Sequence, residues 1–212
     1  MADLASLRSE YTRELLDISN VHQNPLTQFD RWFSEALKAE VPEANAMSLS
    51  TLNEHGRPTC RIVLLKGVEA GKFVFYTNYQ SNKGRELEEN PVCALTFFWP
   101  SLERQLRIEG TVARVPEQQS EAYFKSRPRG AQIGAWCSPQ SSPVANRQVL
   151  EDRYAQLEKK FNDGDIPKPK QWGGYAVDPF FFEFWQGRPN RVHDRIVYLK
   201  SDNTWNISRL AP

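Results

Sequence analysis

The sequence predicts an α+β protein dominated by β-structure, an antiparallel barrel with helices packed on its outside. Three observations point there. Short β-rich runs follow one another closely, separated by Gly-, Asn- and Pro-containing turns. Helical stretches are few and fall too irregularly between them for a doubly wound parallel sheet, and neither GxGxxG nor a P-loop is present. The chain has 212 residues, 40% hydrophobic and 12% aromatic, which is enough for a real core and suits one domain over residues 1–212. Residues 1–20 read as an N-terminal segment able to move.

The elements follow in order. The first forty residues read as helical. In "NPLTQFDRWFSEALKAE", Asn24 caps, Pro25 takes the first helical position, and Leu26, Phe29, Trp32, Phe33 and Leu37 recur at helical spacing. "AMSLSTL" and "TCRIVLLK" are strands joined by the turn "NEHGRP", and "KFVFYTN" is a third. "SNKGRELEENP" is a short helix opened by Ser81 and closed by Asn90-Pro91. "VCALTFFW" and "RQLRIEGTVARV" are strands, "EQQSEAYFKSR" a helix, and residues 127–143 a Gly/Ser/Pro-rich connection. "ANRQVLEDRYAQLEKKF" is a helix. "GGYAV", "FFFEFWQG", "VHDRIVYL" and "TWNISRL" close the chain as strands.

Composition excludes several functions. A net charge of +1 encodes no general attraction to polyanions, which argues against a nucleic-acid module. Cys60, Cys93 and Cys137 are odd in number, with no CxxC pair. Neither a disulfide framework nor a metal site is indicated. The N-terminus lacks a signal-peptide core and no apolar run reaches membrane-spanning length. The expectation is a soluble, cytoplasmic protein with no membrane partner.

The chemistry sits in scattered cations. In "RVHDR", extended backbone would place Arg191, His193 and Arg195 on one face, with Val192 and Asp194 on the other. Arg61 and Lys66 in "RIVLLK" are five apart, so a straight strand turns them to opposite sides. Taken alone they read as strand-end cations reaching water. Ser81 and Lys83 open a helix, where free N–H groups suit a phosphate. Gln105 and Arg107 share a face opposite Leu106 and Ile108. Tyr123, Arg127 and Arg129 follow a helix, and Gln140, Ser141 and Ser142 add hydrogen-bonding groups. Several separated cations without a surplus of charge suit a phosphorylated cofactor, a phosphorylated substrate, or both.

These stretches resemble the pyridoxine/pyridoxamine 5'-phosphate oxidase family over essentially the whole chain. "RIVLLK", "FYTN", "LERQ", "SRPR", "QIGAW", "QSS", "WGG", "FWQG" and "RVHDR" occur in the family's order. The resemblance implies an FMN-binding split β-barrel, a homodimer with FMN at the subunit interface. It implies oxidation of pyridoxamine or pyridoxine 5'-phosphate by O2 to pyridoxal 5'-phosphate. By resemblance, Arg61, Ile62, Val63, Leu64, Leu65 and Lys66 line the FMN site, continued by Tyr76, Thr77, Asn82 and Lys83. Gln105 contacts the flavin ring, Gln140 and Ser141 come from the partner subunit, and Trp185 and Arg195 complete the pocket. Lys66, Tyr123 and Arg127, with the Ala131 position, match the grip on the substrate phosphate. Arg191, Val192 and His193 lie against the pyridoxal ring, with Arg191 and His193 as catalytic candidates. Arg8 and Tyr11 resemble a segment that closes over substrate. Two positions depart from the family pattern: Asn82 stands where an arginine commonly precedes the lysine, and Ala131 where a serine is common. The alternatives are another FMN oxidase on the same barrel, acting on a phenazine precursor, and a non-catalytic FMN or pyridoxal-phosphate carrier.

Overall fold

A computed structural model describes residues 10–12 and 14–212. Five helices and nine strands run in the order α1 (Pro25–Lys38), β1 (Ala46–Leu52), β2 (Pro58–Leu64), β3 (Gly67–Glu69), β4 (Lys72–Asn78), α2 (Asn82–Glu89), β5 (Val92–Trp99), β6 (Arg104–Arg114), α3 (Glu117–Ser126), α4 (Arg129–Cys137), α5 (Arg147–Phe161), β7 (Trp172–Gln186), β8 (Asp194–Ser201) and β9 (Thr204–Leu210). The strands join in the order β2-β1-β5-β6-β7-β4-β3, with β8 pairing β7 and β9. The pairings of β4 with β3 and β7, and of β8 with β7 and β9, are antiparallel. The chain forms two compact units. One comprises the described residues up to Leu49, Ala94–Gly110 and Pro179–Pro212; the other comprises Ser50–Cys93 and Thr111–Asp178.

In the first unit, α1 starts as its sequence predicts: Asn24 Oδ1 accepts from Leu26 N–H at 2.9 Å, with Pro25 at the first position. Its buried side is Pro25, Gln28, Phe29, Trp32 and Ala36, while Leu37 is exposed. Trp32 meets Phe184 edge-on at 5.1 Å and Phe29 lies against Phe97. The helix does not extend back through the first forty residues. The segment before it is held by side chains instead: Leu16 N–H donates to Asp194, Arg209 donates to Leu16 C=O, and Tyr198 OH donates to His22 C=O. Arg104, buried under the Trp32 ring, is bonded to Glu14, Glu35 and Gln186.

In the second unit, β4 pairs with the first half of β7, Phe73 opposite Val177 through Asn78 opposite Trp172. β3 was not foreseen. It forms a hairpin with β4 across Ala70-Gly71, both at positive φ, which is the two-residue turn that matches strand twist. Ser81 caps α2, accepting from Gly84 N–H. The presumed connection at 127–143 holds α4, whose Ile133 and Cys137 are buried one turn apart. "GGYAV" and "FFFEFWQG" belong to one strand, β7. Pro179 interrupts no pairing on that side, because β4 leaves at Val177 and β8 joins at Phe181.

Two helical glycines make opposite demands. A Cβ on Gly84 would sit 2.1 Å from the Tyr79 carbonyl oxygen, whereas a Cβ on Gly134 would meet nothing within 4 Å. Gly84→Ala should therefore lose about 1–3 kcal/mol through overpacking. Gly134→Ala should gain about 0.5–1 kcal/mol from helix propensity. Urea unfolding of both variants checks the signs; stabilisation by Gly84→Ala would contradict the close packing of α2 on Tyr79.

Candidate functional site

β2 is a strand with no buried residue, its faces alternating between exposed and half-buried. Arg61, on the half-buried face, is fixed by its neighbours. Its guanidinium donates to Glu86 at 3.0 Å, to Thr59 at 2.7 Å, and to Thr51. Burial alone would raise the Glu86 carboxyl, but hydrogen bonds from Thr51 and Thr59 and the charge of Arg61 hold it below its ordinary range. Lys83, in the first turn of α2, has no such carboxylate. Its Nζ lies 3.3 Å from Thr77 Oγ1, 3.4 Å from Ser81 Oγ and 3.4 Å from Gln140 Oε1. Burial and then the charge of Arg61 lower its pKa, offset in part by Glu86.

Lys66 joins Arg61 on the same cavity, contrary to the parity of a straight strand. β2 stops at Leu64, Leu65 turns into the core, and Lys66 N–H donates to Val74 C=O. That break resets the alternation. The cavity, about 710 Å³, also takes Ile62, Val63, Leu64, Tyr76, Thr77, Lys83, Tyr123, Arg127, Ala131 and Gln140 in its lining. Asn78, Pro128, Gly134, Ala135, Ser138 and Trp172 line it as well and were missed. Trp172 stood in the noted "WGG" stretch, so the signal was present without a role attached. Leu65, Asn82 and Ser141 are not in the lining. Asn82 N–H donates to Ser141 Oγ, and its side chain accepts from Arg85. Gln140 and Ser141, expected from a partner subunit, lie within hydrogen-bond reach of this chain's own Thr77, Lys83 and Asn82.

Arg127 closes one side. Its guanidinium carbon sits 4.6 Å from the centre of the Trp172 ring, and its buried Nη1 has no hydrogen-bond partner. Burial lowers its pKa, against the effect of Tyr123. Glu86 is the one carboxylate among the described residues bonded to any of Arg61, Lys66, Lys83 and Arg127. The cavity is therefore short of negative charge, which a bound anion would supply.

The other predicted residues belong to the first unit. Tyr11, Trp185 and His193 form a ring cluster, with centroids 4.7 Å apart for Trp185–His193 and 5.7 Å for each ring with Tyr11. A Cβ at Gly187 would strike the Tyr11 ring at 2.6 Å, so the glycine admits it. Arg195 lies opposite Trp185 and donates to buried Glu183 at 2.7 Å, as does Arg107 at 2.9 Å. Gln105 is half-buried on β6, two residues before Arg107, alternating with buried Leu106 as predicted. Arg8 lies outside the described residues.

The expectation of one extended face for residues 191–195 is corrected. Pro189–Arg191 forms a 3-10 turn, Asn190 and Arg191 take left-handed φ values of 57° and 61°, and β8 begins at Asp194. Arg191 and Val192 are exposed. Arg188 is anchored to Glu14 C=O and, at 3.5 Å, to Asp194. Asp194 pairs with Arg209 at 2.6 Å. His193 Nδ1 accepts from Arg188 N–H, which leaves the proton on Nε2. Burial and then the Arg191 charge lower the His193 pKa, with Asp194 opposing.

Two titrations follow. Glu86 has a depressed pKa, so its contribution to stability is present above its ordinary value of 4.5 and is lost as pH falls through the folded value. Glu86→Gln should cost about 1–3 kcal/mol at neutral pH and progressively less in acid. A thermal-unfolding difference independent of pH would contradict the ion pair. His193 should titrate below its ordinary 6.5, and Arg191→Ala should move it upward. NMR can follow this directly, since the chain has only 3 histidines; an unmoved or lowered value would reject the proximity.

Comparison with known proteins agrees with these features. Residues 33–161 match the family model "Pyridoxamine 5'-phosphate oxidase", and residues 172–212 match the "Pyridoxine 5'-phosphate oxidase C-terminal dimerisation region". The chain is 53% identical over 213 residues to the pyridoxine/pyridoxamine 5'-phosphate oxidase of Ralstonia pickettii, covering 100% of both chains. It is 51% identical over 211 residues to that of Rippkaea orientalis, covering 99% of this chain and 100% of the relative. Among solved structures it is similar to PhzG from Burkholderia lata, in complex with tetrahydrophenazine-1-carboxylic acid. That likeness has a TM-score of 0.88 at 26% identity, over 94% of this chain and 99% of the other. The fold is the antiparallel split barrel that the sequence predicts. With full-length identity about twice that to the phenazine enzyme, and both family regions matched in order, the chain belongs to the pyridoxine/pyridoxamine 5'-phosphate oxidase family.

Proposed function

We propose that this protein oxidises pyridoxine 5'-phosphate and pyridoxamine 5'-phosphate to pyridoxal 5'-phosphate, with FMN as cofactor and O2 as the final acceptor. The observation that carries the reading is the cavity lined by Arg61, Lys66, Lys83 and Arg127, with Glu86 as their one bonded carboxylate among the described residues. An unsatisfied buried guanidinium N–H costs about 1–3 kcal/mol, and a phosphate oxygen would satisfy it. Apolar and aromatic lining from Ile62, Leu64, Tyr76 and Trp172 suits planar rings.

FMN, when bound, supplies a two-electron acceptor that O2 can reoxidise with release of hydrogen peroxide. The protein's part is to bind, orient and shield. Arg61 and Lys83, sensing each other's charge, would hold the FMN phosphate with Thr77, Gln140 and Ser141 nearby. Backbone and side chains of Ile62, Val63, Leu64 and Leu65, with Tyr76 and Asn82, would frame it. Lys66, Tyr123 and Arg127 would hold the substrate phosphate. Ala131, in the same lining, offers a methyl where the family commonly offers a hydroxyl. The family likeness supports roles at the reacting rings for Tyr11, Gln105, Trp185, Arg191, Val192, His193 and Arg195, with Arg8 beside Tyr11. His193, whose pKa is lowered by burial and by Arg191, could take a proton at Nδ1 only by giving up its bond from Arg188. A role in orienting substrate through Nε2–H fits better than a role as base at Nδ1.

The matched dimerisation region supports a homodimer, and the proposal places FMN at its interface. Among the described residues no helix is long and apolar enough to cross a membrane, and Cys60, Cys93 and Cys137 form no disulfide with one another; a cytoplasmic setting is part of the same reading. Oxidation of a phenazine precursor is the nearest rival. A carboxylate could also pair with Arg127, so what disfavours that reading is the 26% identity to PhzG against 53% to the Ralstonia pickettii pyridoxine/pyridoxamine 5'-phosphate oxidase.

The test is an absorbance spectrum of the purified protein. Anaerobic pyridoxamine 5'-phosphate should bleach a flavin band, and readmitted O2 should restore it with one equivalent of peroxide. A band unmoved by either phosphorylated substrate would overturn the reading.

A further inference from the structure

We infer that Trp172, first residue of the "WGG" stretch, is a positioning residue for the phosphate-binding arginine: it holds the Arg127 guanidinium by its ring face and leaves the N–H groups free for a phosphate monoester. The inference rests on the functional reading of the cavity above and gives a positioning role to a residue that the reading uses only as aromatic lining.

An arginine that must stay ordered yet unpaired poses a problem. A carboxylate partner would order it but compete with the incoming anion, as Glu86 does for Arg61. An aromatic face attracts the cation without occupying its donors. Arg127 has that arrangement: its guanidinium carbon is 4.6 Å from the Trp172 centroid and 5.7 Å from that of Phe124. Its Nη1 is buried and unbonded. Among the described residues, no acidic side chain pairs with it.

The ring is itself held. Tyr76 stacks on Trp172 at 5.5 Å with planes 11° apart, and Tyr123 stacks on Tyr76 at 3.9 Å and 17°. Phe124 meets Trp172 edge-on at 5.2 Å. The two glycines explain why the stack can form. Gly174 lies opposite Tyr76 in the β4–β7 register, on the same sheet face as Trp172 two residues earlier. A Cβ there would come within 2.7 Å of the Tyr76 ring. Only a bare backbone lets Tyr76 lean across β7 onto Trp172. A Cβ on Gly173, on the opposite face, would strike Tyr79 OH at 2.0 Å. The three residues thus act as one device: a ring to seat the cation and two gaps to seat the neighbours.

A double-mutant cycle tests this on the holoenzyme, using steady-state kinetics with pyridoxamine 5'-phosphate and competitive inhibition by inorganic phosphate. Trp172→Leu should raise KM and the phosphate inhibition constant about tenfold, within the range of a desolvated cation–π contact, with kcat changed less than about threefold. Trp172→Phe, which keeps a face, should show about a twofold effect. In an Arg127→Ala background neither substitution should shift KM or the phosphate inhibition constant measurably, because Trp172 acts through Arg127. If Trp172→Leu does not fold, the Trp172→Phe cycle and its phosphate inhibition decide. Equal effects with and without Arg127 would overturn the positioning role while leaving the phosphate site intact. An Arg127→Ala variant with unchanged KM and unchanged phosphate inhibition would instead show that the cavity does not hold the phosphate, and both readings would fall.

Discussion

Strand β7 is the constraint on which the rest depends. It runs through fifteen residues, Trp172–Gln186, and changes its antiparallel partner on one side from β4 to β8 around Pro179. Because alternate residues on a strand share a face, its register decides several things at once. Trp172 and Gly174 stand on one side for Tyr76 to cover, and Glu183 and Trp185 take fixed places opposite Val197 and Arg195. A slip of one residue would exchange all of these faces. Proline at the change of partner costs no pairing on that side, and it stops either neighbour from extending its register into the other's.

Charge is the second organising term, and it is handled differently at each cation. Arg61 is neutralised in place by Glu86 and two threonines. Lys83 is surrounded by neutral oxygens. Arg127 is seated on an aromatic face. Arg195 and Arg107 share one buried carboxylate, Glu183. These are four ways to order a cation, and they leave unequal residual charge. Of these, Arg61, Lys83 and Arg127 line the cavity, and Arg61 keeps a bonded carboxylate there while Lys83 and Arg127 have neutral neighbours.

Much of this was legible in the chain and some was not. Helix starts at Asn24 and Ser81 read directly, because a cap is a local bond between one side chain and an N–H two or three residues on. The alternation of β6 read directly for the same reason. Lys66 did not, since its facing depends on where β2 ends and Leu65 turns inward. Residues 189–193 did not, since two left-handed residues, Asn190 and Arg191, stop the strand before Asp194. Pro189-Asn190 does signal a turn, but Arg191 at positive φ, which carries the turn on and keeps it off the strand, has no such signal. The helix α4 was hidden by its two glycines, which lower propensity, while buried Ile133 and Cys137 hold it by packing. The anchoring of Arg188 has no local signal, because its partners, Glu14 and Asp194, are set by long-range topology.

The segment before α1 has an attachment unlike anything else in its unit. Glu14 is bonded to Arg104, Asp17 to Arg209, and Leu16 to both Asp194 and Arg209, while Leu15 and Ile18 point to solvent. Leu16 and Val21 are buried beside these bonds, but no backbone ladder holds the segment, and charged side chains make most of its polar attachments. Charge pairs near the surface weaken over a Debye length that shrinks from about 10 Å at 0.1 M salt to about 3 Å at 1 M, whereas the aromatic core strengthens slightly under salting-out ions. The mooring and the core therefore respond to ionic strength in opposite directions. Concentrated salt would let this segment open as its own low-stability unit, exposed to proteases and to amide exchange, while the strands beneath it stay closed.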